Sequence, residues 1–202
     1  GKTTILNLLG GMDRPSNGAV FAGAENVAAM SERALEAYRL KKVGFVFQFF
    51  NLIPSLSALD NLELPMLMAG VGPEERRARS QSLLEAVGLK AKGFKRPEEL
   101  SGGEQQRVAV CLALVNDPPI ILADEPTANV DPGNQQMIID LIRQSCEEDK
   151  IALLMVTHSM HQAVHLGDRI VMMHRGQVLA EGDAEQIRSH PAVLEAFLGT
   201  DA

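Results

Sequence analysis

The distribution of apolar and polar residues along the chain predicts strands that alternate with helices. Three short apolar runs, at residues 43–47, 120–123 and 151–156, have the unbroken hydrophobic character of strands buried on both faces of a parallel sheet. Weaker patterns predict a short strand at 19–22, a hairpin at 169–174 and 177–181, and helices at 5–9, 31–40, 135–147 and 183–198. With 202 residues the chain suits one α/β domain with a mostly parallel sheet.

Residues 57–97 differ from the rest of the chain because they carry signals for helices alone. Ser57 is placed to cap one helix, Pro73 suits the first position of a second, and Gly88 suits the end of that second helix. The sequence therefore predicts a helical segment between the first and second of the three apolar strands.

Residues 100–127 carry the strongest chemical signal. Ser101 and Glu104 match the capping-box pattern that starts a helix. An apolar face then follows at Val108, Cys111, Leu112 and Val115. Pro118 and Pro119 end the helix, because proline cannot continue its hydrogen bonding.

Asp124 and Glu125 come directly after the apolar strand at 120–123. Burial of two carboxylates is costly unless their charge is compensated, and ligands of open α/β sheets bind at the carboxyl ends of the strands. One interpretation is that the pair only begins an exposed helix. We favour a divalent metal that carries a phosphate chain, with Asp124 toward Mg²⁺ and Glu125 free to polarise a water molecule.

Two motifs in this stretch resemble those of a known family. LSGGEQQR at 100–107 resembles the signature motif of ABC-type ATPases, and IILADEPT at 120–127 resembles their Walker B strand, with Glu125 as the catalytic glutamate. The resemblance implies a P-loop NTPase core of RecA-like type at about residues 1–50 and 104–202. It also implies an inserted α-helical subdomain at about 51–103 that ends in the signature motif, all within one ABC ATPase domain spanning 1–202.

The chain begins with Gly1-Lys2-Thr3-Thr4, which matches the last part of a P-loop. Such a short string is weak evidence alone, but together with the Walker B strand it becomes strong. Backbone N–H groups at Gly1 and at the helix start would bind phosphate oxygens, Lys2 would reach the β- and γ-phosphates, and Thr3 would ligate Mg²⁺. We expect the chain to be a fragment truncated within Walker A, without the strand and adenine-stacking aromatic that precede it in the family.

Three further residues resemble family positions. Gln48 follows the strand at 43–47 and resembles the Q-loop glutamine, whose amide can meet Mg²⁺ or the attacking water. Asp131 ends the D-loop position, residues 128–131, and could equally cap the next helix. His158 follows the strand at 151–156 and resembles the H-loop switch that contacts the γ-phosphate, although Ser159 stands where the family usually has Asp.

The spacing of His158, His161 and His165 also raises the question of a zinc site. The pattern lacks the HExxH arrangement and has no cysteine partner, so it gives little support for zinc. The two cysteines of the chain have no disulfide-like pattern and suit reduced thiols in the cytoplasm.

The resemblance implies a second copy of the chain as a partner. In the family the signature motif, here Ser101, Gly102, Gly103 and Glu104, faces the nucleotide of the other copy, so that two ATP molecules are held in a head-to-tail homodimer. A helix N-terminus favours an anion, and glycines allow close backbone approach.

A membrane permease is the other expected partner. Residues 49–54 place more apolar surface in a loop than a loop needs, which indicates either a packed loop or a groove for a short helix of that permease. The net charge of −7 argues against nucleic acid. No apolar run approaches the ~20 residues that cross a bilayer. We expect a peripheral protein on the cytoplasmic face of the inner membrane that contacts the membrane through the permease alone and docks partly through the helical subdomain.

Three functional classes share such an ATPase. The leading hypothesis is an ATP-hydrolysing subunit that powers export or release, because residues 47–65 resemble the lipoprotein-release, macrolide-export and cell-division branch. That branch includes cell-division regulators without transported cargo. The alternatives are a soluble ABC protein of ribosomes, which would be more basic and carry two cassettes, and a DNA-repair ATPase, which would carry long coiled coils or zinc modules.

Overall fold

The computed structural model describes residues 1–128 and 130–198. Its contacts divide the chain into two compact units, a larger one of Thr3–Val156 and a smaller one in which Gly1–Lys2 joins Thr157–Ala202. This division does not separate the helical segment from the strands, so the predicted boundaries at about 51 and 103 stay a prediction.

The larger unit contains five strands and six helices among its described residues. In chain order they are α1 Lys2–Leu9 (whose first residue belongs to the smaller unit), β1 Phe21–Ala22, β2 Glu25–Asn26, α2 Glu32–Lys41, β3 Val43–Val46, α3 Ala58–Met68, α4 Pro73–Ala86, α5 Gly102–Leu114, β4 Ile120–Asp124, α6 Pro132–Asp149 and β5 Ala152–Val156. Short 3-10 helices lie at Val27–Ala29, Lys90–Lys92 and Pro97–Glu99.

The central sheet is parallel, as the apolar runs predict. Its strand order is β3-β4-β5, with Val46 opposite Ala123 and Asp124 opposite Val156. The short strand predicted at 19–22 is present as β1, shortened to Phe21–Ala22. Its antiparallel partner β2 was not predicted, because two polar residues show no hydrophobic period. It also extended β3 by one residue, since Phe47 lies beyond the end of that strand.

The predicted helix boundaries of the helical segment are confirmed. Ser57 caps α3 by accepting a hydrogen bond from the Asp60 N–H at 3.1 Å, and Pro73 is the first residue of α4. Gly88 follows the end of α4 with φ of 70°, a conformation in which glycine avoids the steric cost of a Cβ.

Helix α5 is buried against two different sets of side chains. Val108, Cys111 and Val115 pack with the apolar residues of α3 and α4. Val110, Ala113 and Leu114 pack with β3, β4 and α6. The helix that carries the signature-like motif at its start is therefore fixed from both sides.

The smaller unit contains α7 Met160–Leu166, β6 Ile170–His174, β7 Gln177–Gly182, α8 Ala184–Ser189 and α9 Pro191–Leu198. Strands β6 and β7 form the predicted antiparallel hairpin. Arg175 and Gly176 both have positive φ, 49° and 81°, as a tight two-residue hairpin turn requires. Ile170, Ala180, Ile187 and Val193 form its core.

Candidate active site

The start of α5 is organised by a reciprocal cap. Ser101 Oγ accepts a hydrogen bond from the Glu104 N–H at 3.3 Å, and Glu104 Oε2 accepts one from the Ser101 N–H at 3.0 Å. This confirms the predicted capping box. Ser101 is exposed, Gly102 is half-buried and Gly103 is buried, so the exposed end of the motif is its serine.

Glu104 is held in this cap by a second contact. Lys92 Nζ donates to its Oε1 at 2.5 Å. That bond, followed by the one from the Ser101 N–H, holds the pKa of Glu104 below its usual value. The described contacts of Glu104 are therefore those of a cap, and its predicted role in nucleotide binding stays a prediction.

The carboxylates that follow β4 lie in different backbone environments. Asp124 is the last residue of the strand and is half-buried. Glu125 has φ of 49°, and its N–H donates to the carbonyl oxygen of Val156 at 2.8 Å. A left-handed conformation is uncommon for a residue with a Cβ and recurs where function fixes the backbone.

Gln48 lies at the same edge of the sheet as Asp124. Val46 ends β3 opposite Ala123, so the residues that follow Val46 leave the sheet beside Asp124, the last residue of β4. Gln48 is exposed. The preceding residue, Phe47, accepts at its carbonyl oxygen a 3.4 Å hydrogen bond from Nε2 of Gln106, which is only 1% exposed.

Three residues of the larger unit carry side-chain oxygen atoms that suit Mg²⁺. Thr3 is exposed in the first turn of α1, which carries no acidic residue. Together with the amide of Gln48 and the carboxylate of Asp124 it offers only oxygen donors, the ligands that Mg²⁺ prefers.

In the smaller unit the structure brings Lys2 and His158 together. Lys2 Nζ lies 3.5 Å from Nδ1 of His158. Gly1, Thr3 and Thr4 are exposed at the same end of α1, and Lys2 is half-buried.

The loop that carries His158 is fixed by its neighbours. The Thr157 hydroxyl accepts from the Ser159 N–H at 3.0 Å and donates to Gln162 Oε1 at 3.0 Å. Ser159 is the N-cap of α7, because its hydroxyl accepts a hydrogen bond from the Gln162 N–H. Gln162 lies outside the motifs recognised in the sequence.

The rings of His161 and His165 stack with centroids 6.0 Å apart. Among the described residues no three His, Cys, Asp or Glu side chains are grouped to hold a metal ion. His161 and His165 lie four residues apart on one face of α7, whereas His158 precedes that helix.

Asp131 caps α6, as the structural alternative predicts. Its Oδ1 accepts from the Asn134 N–H at 3.2 Å and its Oδ2 from Asn134 Nδ2 at 2.7 Å. The side-chain bond from Asn134 is the main cause of a lowered Asp131 pKa. Asn134 Oδ1 in turn accepts from Nη1 of the buried Arg107. Of the D-loop position, residue 129 lies outside the described residues.

The apolar loop at 49–54 has both a fixed backbone and exposed side chains. Asn61 accepts from the Ile53 N–H at 2.7 Å and donates to the carbonyl oxygens of Ile53 and Leu56. Phe49 is nevertheless 72% exposed and Ile53 40% exposed. No helix among the described residues has the length and apolar character to span a bilayer.

The chain matches known protein families along most of its length. Residues 1–128 match the family described as ABC transporter, and residues 177–202 match one described as branched-chain amino acid ATP-binding cassette transporter. The ABC transporter match covers more than half of the 202 residues.

Individual relatives agree with this assignment. An uncharacterized ABC transporter ATP-binding protein of Thermotoga maritima is 48% identical over 178 residues, which is 88% of this chain and 75% of that protein. The lipoprotein-releasing system ATP-binding protein LolD of Chromohalobacter salexigens is 43% identical, with 88% and 75% covered. The methionine import ATP-binding protein MetN of Latilactobacillus sakei is 38% identical over 98% of this chain but only 58% of its own length.

A solved structure gives the same result. The dimeric ATP-binding cassette MJ0796, in a post-hydrolysis state bound to ADP and Pi, superposes with a TM-score of 0.84 at 40% identity, covering 91% of this chain and 81% of that one. The signature-like helix α5, the Walker B-like strand β4 and the parallel sheet thus occur together in a fold that this chain shares with that cassette. The chain belongs to the ABC transporter family and carries its ATP-binding, ATP-hydrolysing domain.

Proposed function

We propose that this protein works as a head-to-tail pair whose ATP hydrolysis powers export or release of a lipoprotein, macrolide or similar substrate through a membrane permease. The LolD relative supports release, and the dimeric cassette supports pairing. The protein would lie on the cytoplasmic face of the membrane, attached through the permease. The MetN relative favours import as the second candidate.

The triphosphate is bound by the start of α1. The N–H groups of Gly1 and of the first turn, which includes Thr3 and Thr4, bind phosphate oxygens, since a helix N-terminus has free donors and positive dipole. Lys2 neutralises charge on the β- and γ-phosphates. The absence of an acidic residue from this first turn supports the assignment.

Thr3, Gln48 and Asp124 would hold Mg²⁺ through their oxygen atoms. When bound, the metal neutralises charge that develops on the phosphoryl oxygens. The chain's contribution is to present three oxygen donors. Two of them, Gln48 and Asp124, lie at the carboxyl ends of the neighbouring strands β3 and β4.

Glu125 acts as the base that orients and deprotonates the attacking water. Its left-handed backbone is tied to the Val156 carbonyl, which fixes the direction in which the side chain leaves the backbone. Gln48 and His158 contact the γ-phosphate or the water and so report whether the phosphate is present. This backbone geometry at Glu125 is the observation that carries the proposal.

The second copy contributes the start of α5. Ser101, Gly102 and Gly103 bind the phosphates held by the partner, with Glu104 keeping the cap in place and Asp131 contacting the same nucleotide from the start of α6. The exposed Ser101 supports an approach from outside the chain. Anion binding at a helix N-terminus needs the close approach that glycine permits.

The permease docks on the loop at 49–54 and on the neighbouring helical segment. Phe49 and Ile53 supply exposed apolar surface while Asn61 fixes the loop backbone. The end of α3 adds Leu67 and Met68, which are 55% and 69% exposed. A fixed loop with exposed apolar side chains suits a helix-in-groove contact.

Purification from detergent-solubilised membranes tests this function. We expect an integral membrane protein to copurify with the wild-type chain and to be lost with Phe49→Ser. Phe21→Ser is the matched control, because Phe21 is a 60% exposed phenylalanine outside the proposed surface. Recovery of ribosomes or DNA in place of a membrane protein would contradict the proposal.

A further inference from the structure

We propose that Asn134 is a positioning residue that joins the start of α5 to the start of α6, so that the two elements facing the partner's nucleotide move as one. The proposal rests on the proposed function, because that function places Ser101–Gly103 and Asp131 against the second copy. It adds a residue that lies outside every motif recognised in the sequence.

The contacts form a continuous polar chain. Arg107 donates from Nη1 to Asn134 Oδ1, and Asn134 donates from Nδ2 to Asp131 Oδ2 at 2.7 Å. Arg107 is 9% exposed, and its buried Nε has no hydrogen-bond acceptor among the described residues. Asn134 is therefore an important partner of a buried guanidinium, whose desolvation would otherwise be costly.

An amide is suited to this position. It can accept from a guanidinium with its oxygen and donate to a carboxylate with its nitrogen at the same time, which neither a carboxylate nor a hydrocarbon can do. The two charged neighbours determine the orientation of the amide, since the reverse orientation would face donor with donor. Hydrogen bonds to charged groups are also stronger than neutral ones.

The same side chain packs against Gly103. A Cβ at Gly103 would lie 3.1 to 3.3 Å from the Asn134 side-chain atoms, tighter than an ordinary contact. Gly103 and Arg107 are four residues apart and so share one face of α5. Asn134 thus contacts two residues on this face of α5, Gly103 and Arg107, and Gly103 lies inside the signature-like motif.

Apolar packing holds α5 and α6 together without this polar chain. Val110, Ala113 and Leu114 of α5 share a core with Ile138 and Ile142 of α6. Hydrophobic contacts are not directional, whereas hydrogen bonds fix orientation. The apolar core therefore holds the two helices together, and Asn134 sets the position of one helix start relative to the other.

Asn134→Asp tests the assignment in the intact protein. The variant keeps an acceptor for Arg107 and the backbone N–H that donates to the Asp131 cap. It replaces the Nδ2 donor to Asp131 with a carboxylate oxygen, which repels the Asp131 carboxylate. In a Glu125→Gln background, which would retain ATP, we expect ATP-driven dimerisation to weaken about tenfold or more, as for loss of one charge-assisted hydrogen bond with added repulsion. When Asn134→Asp is made in the protein that retains Glu125, the ATP turnover rate should fall by a similar factor.

The matched control is Gln136→Glu. Gln136 is an exposed residue of α6 whose amide donates to Asp140, so the substitution makes the same chemical change on the same helix. We expect its dimerisation and turnover to stay within about twofold of wild type, since exposed pairs contribute little. Binding of fluorescent ATP to dilute, monomeric protein should be unchanged in both variants.

Two results would overturn the inference. One is that Asn134→Asp behaves like Gln136→Glu; the other is that it weakens ATP binding by the monomer as much as dimerisation.

The double variant Arg107→Met with Asn134→Leu provides a second test, because removing both partners leaves no new unpaired charge. It should keep a wild-type melting temperature and lose dimerisation, and retention of dimerisation would overturn the inference. Failure of wild type itself to dimerise with ATP would instead refute the proposed function.

Discussion

The side-chain amide of Gln106, buried in α5, donates a hydrogen bond to the carbonyl oxygen of Phe47, the residue before Gln48. The signature-like helix and the loop that carries Gln48 are thereby connected through one side chain. The Oε1 atom of Gln106 is buried and has no hydrogen-bond partner among the described residues.

Gln106→Leu should separate stability from activity. Leucine fills a similar volume and removes a polar atom that is buried without a partner, so unfolding free energy should change by less than about 1 kcal/mol. Turnover should fall about tenfold because Phe47, and with it Gln48, loses its anchor. Urea unfolding and phosphate release check the two effects, and unchanged turnover would show that this bond does not position Gln48.

Glu125→Gln should lower turnover by about 100-fold or more, the order expected for losing a general base. Because the amide retains the shape of the carboxylate, ATP binding should persist and ATP-bound dimers should accumulate. Phosphate release and sedimentation in Mg²⁺-ATP measure both. A turnover close to wild type would exclude Glu125 as the base.

Glu125→Gly should abolish turnover and still fold. Glycine adopts the left-handed conformation at φ of 49° and relieves about 1 kcal/mol of backbone strain there. Lys150→Gly is the control, because Lys150 ends α6 with φ of 55° and has no proposed catalytic role. It should stabilise the protein by a similar amount and leave turnover intact, and chemical denaturation with phosphate release distinguishes the two variants.

The Asp131 cap should depend on pH. Its folded-state pKa is lowered from 3.8, first by the Asn134 side chain, so the cap contributes its full stability above 3.8 and loses it as pH falls through the folded value. Asp131→Ser keeps a neutral cap. The stability difference between wild type and Asp131→Ser should therefore narrow between about pH 6 and about pH 3, and a constant difference in urea unfolding would contradict this.

The two cysteines should differ in reactivity. Burial raises the pKa of Cys111 to about 12, whereas Cys146 is half-buried with a less strongly raised pKa. Thiolate is the reactive form and Cys111 is enclosed, so maleimide at neutral pH should label Cys146 and leave Cys111 unmodified. Mass spectrometry of native and urea-unfolded protein checks this, with Cys111 labelled only after unfolding.

Local signals explain what the sequence predicts well. Ser57, Ser101 and Asp131 each mark a helix start through a side chain that reaches its own first turn, so no distant residue is needed. The apolar runs likewise report burial on both faces of the parallel sheet.

The connecting residues could not be predicted because their partners are distant in sequence. Arg107 meets Asn134 across 27 positions, and Gln106 meets Phe47 across 59. A faint signal exists, since Gln106 and Arg107 directly precede the apolar residues 108–114 of the same helix. The left-handed backbone of Glu125 depends on the bond to Val156, which only the folded sheet supplies.

The position of α5 between two sets of apolar residues has a consequence for autonomous folding. Val108, Cys111 and Val115 complete the core of α3 and α4, yet they lie beyond residue 103. A peptide comprising residues 51–103 would expose the surface that these three side chains cover, and a chain of about 50 residues has little core to spare. If residues 51–103 were excised or grafted into another protein, α5 would have to be included to cover that surface.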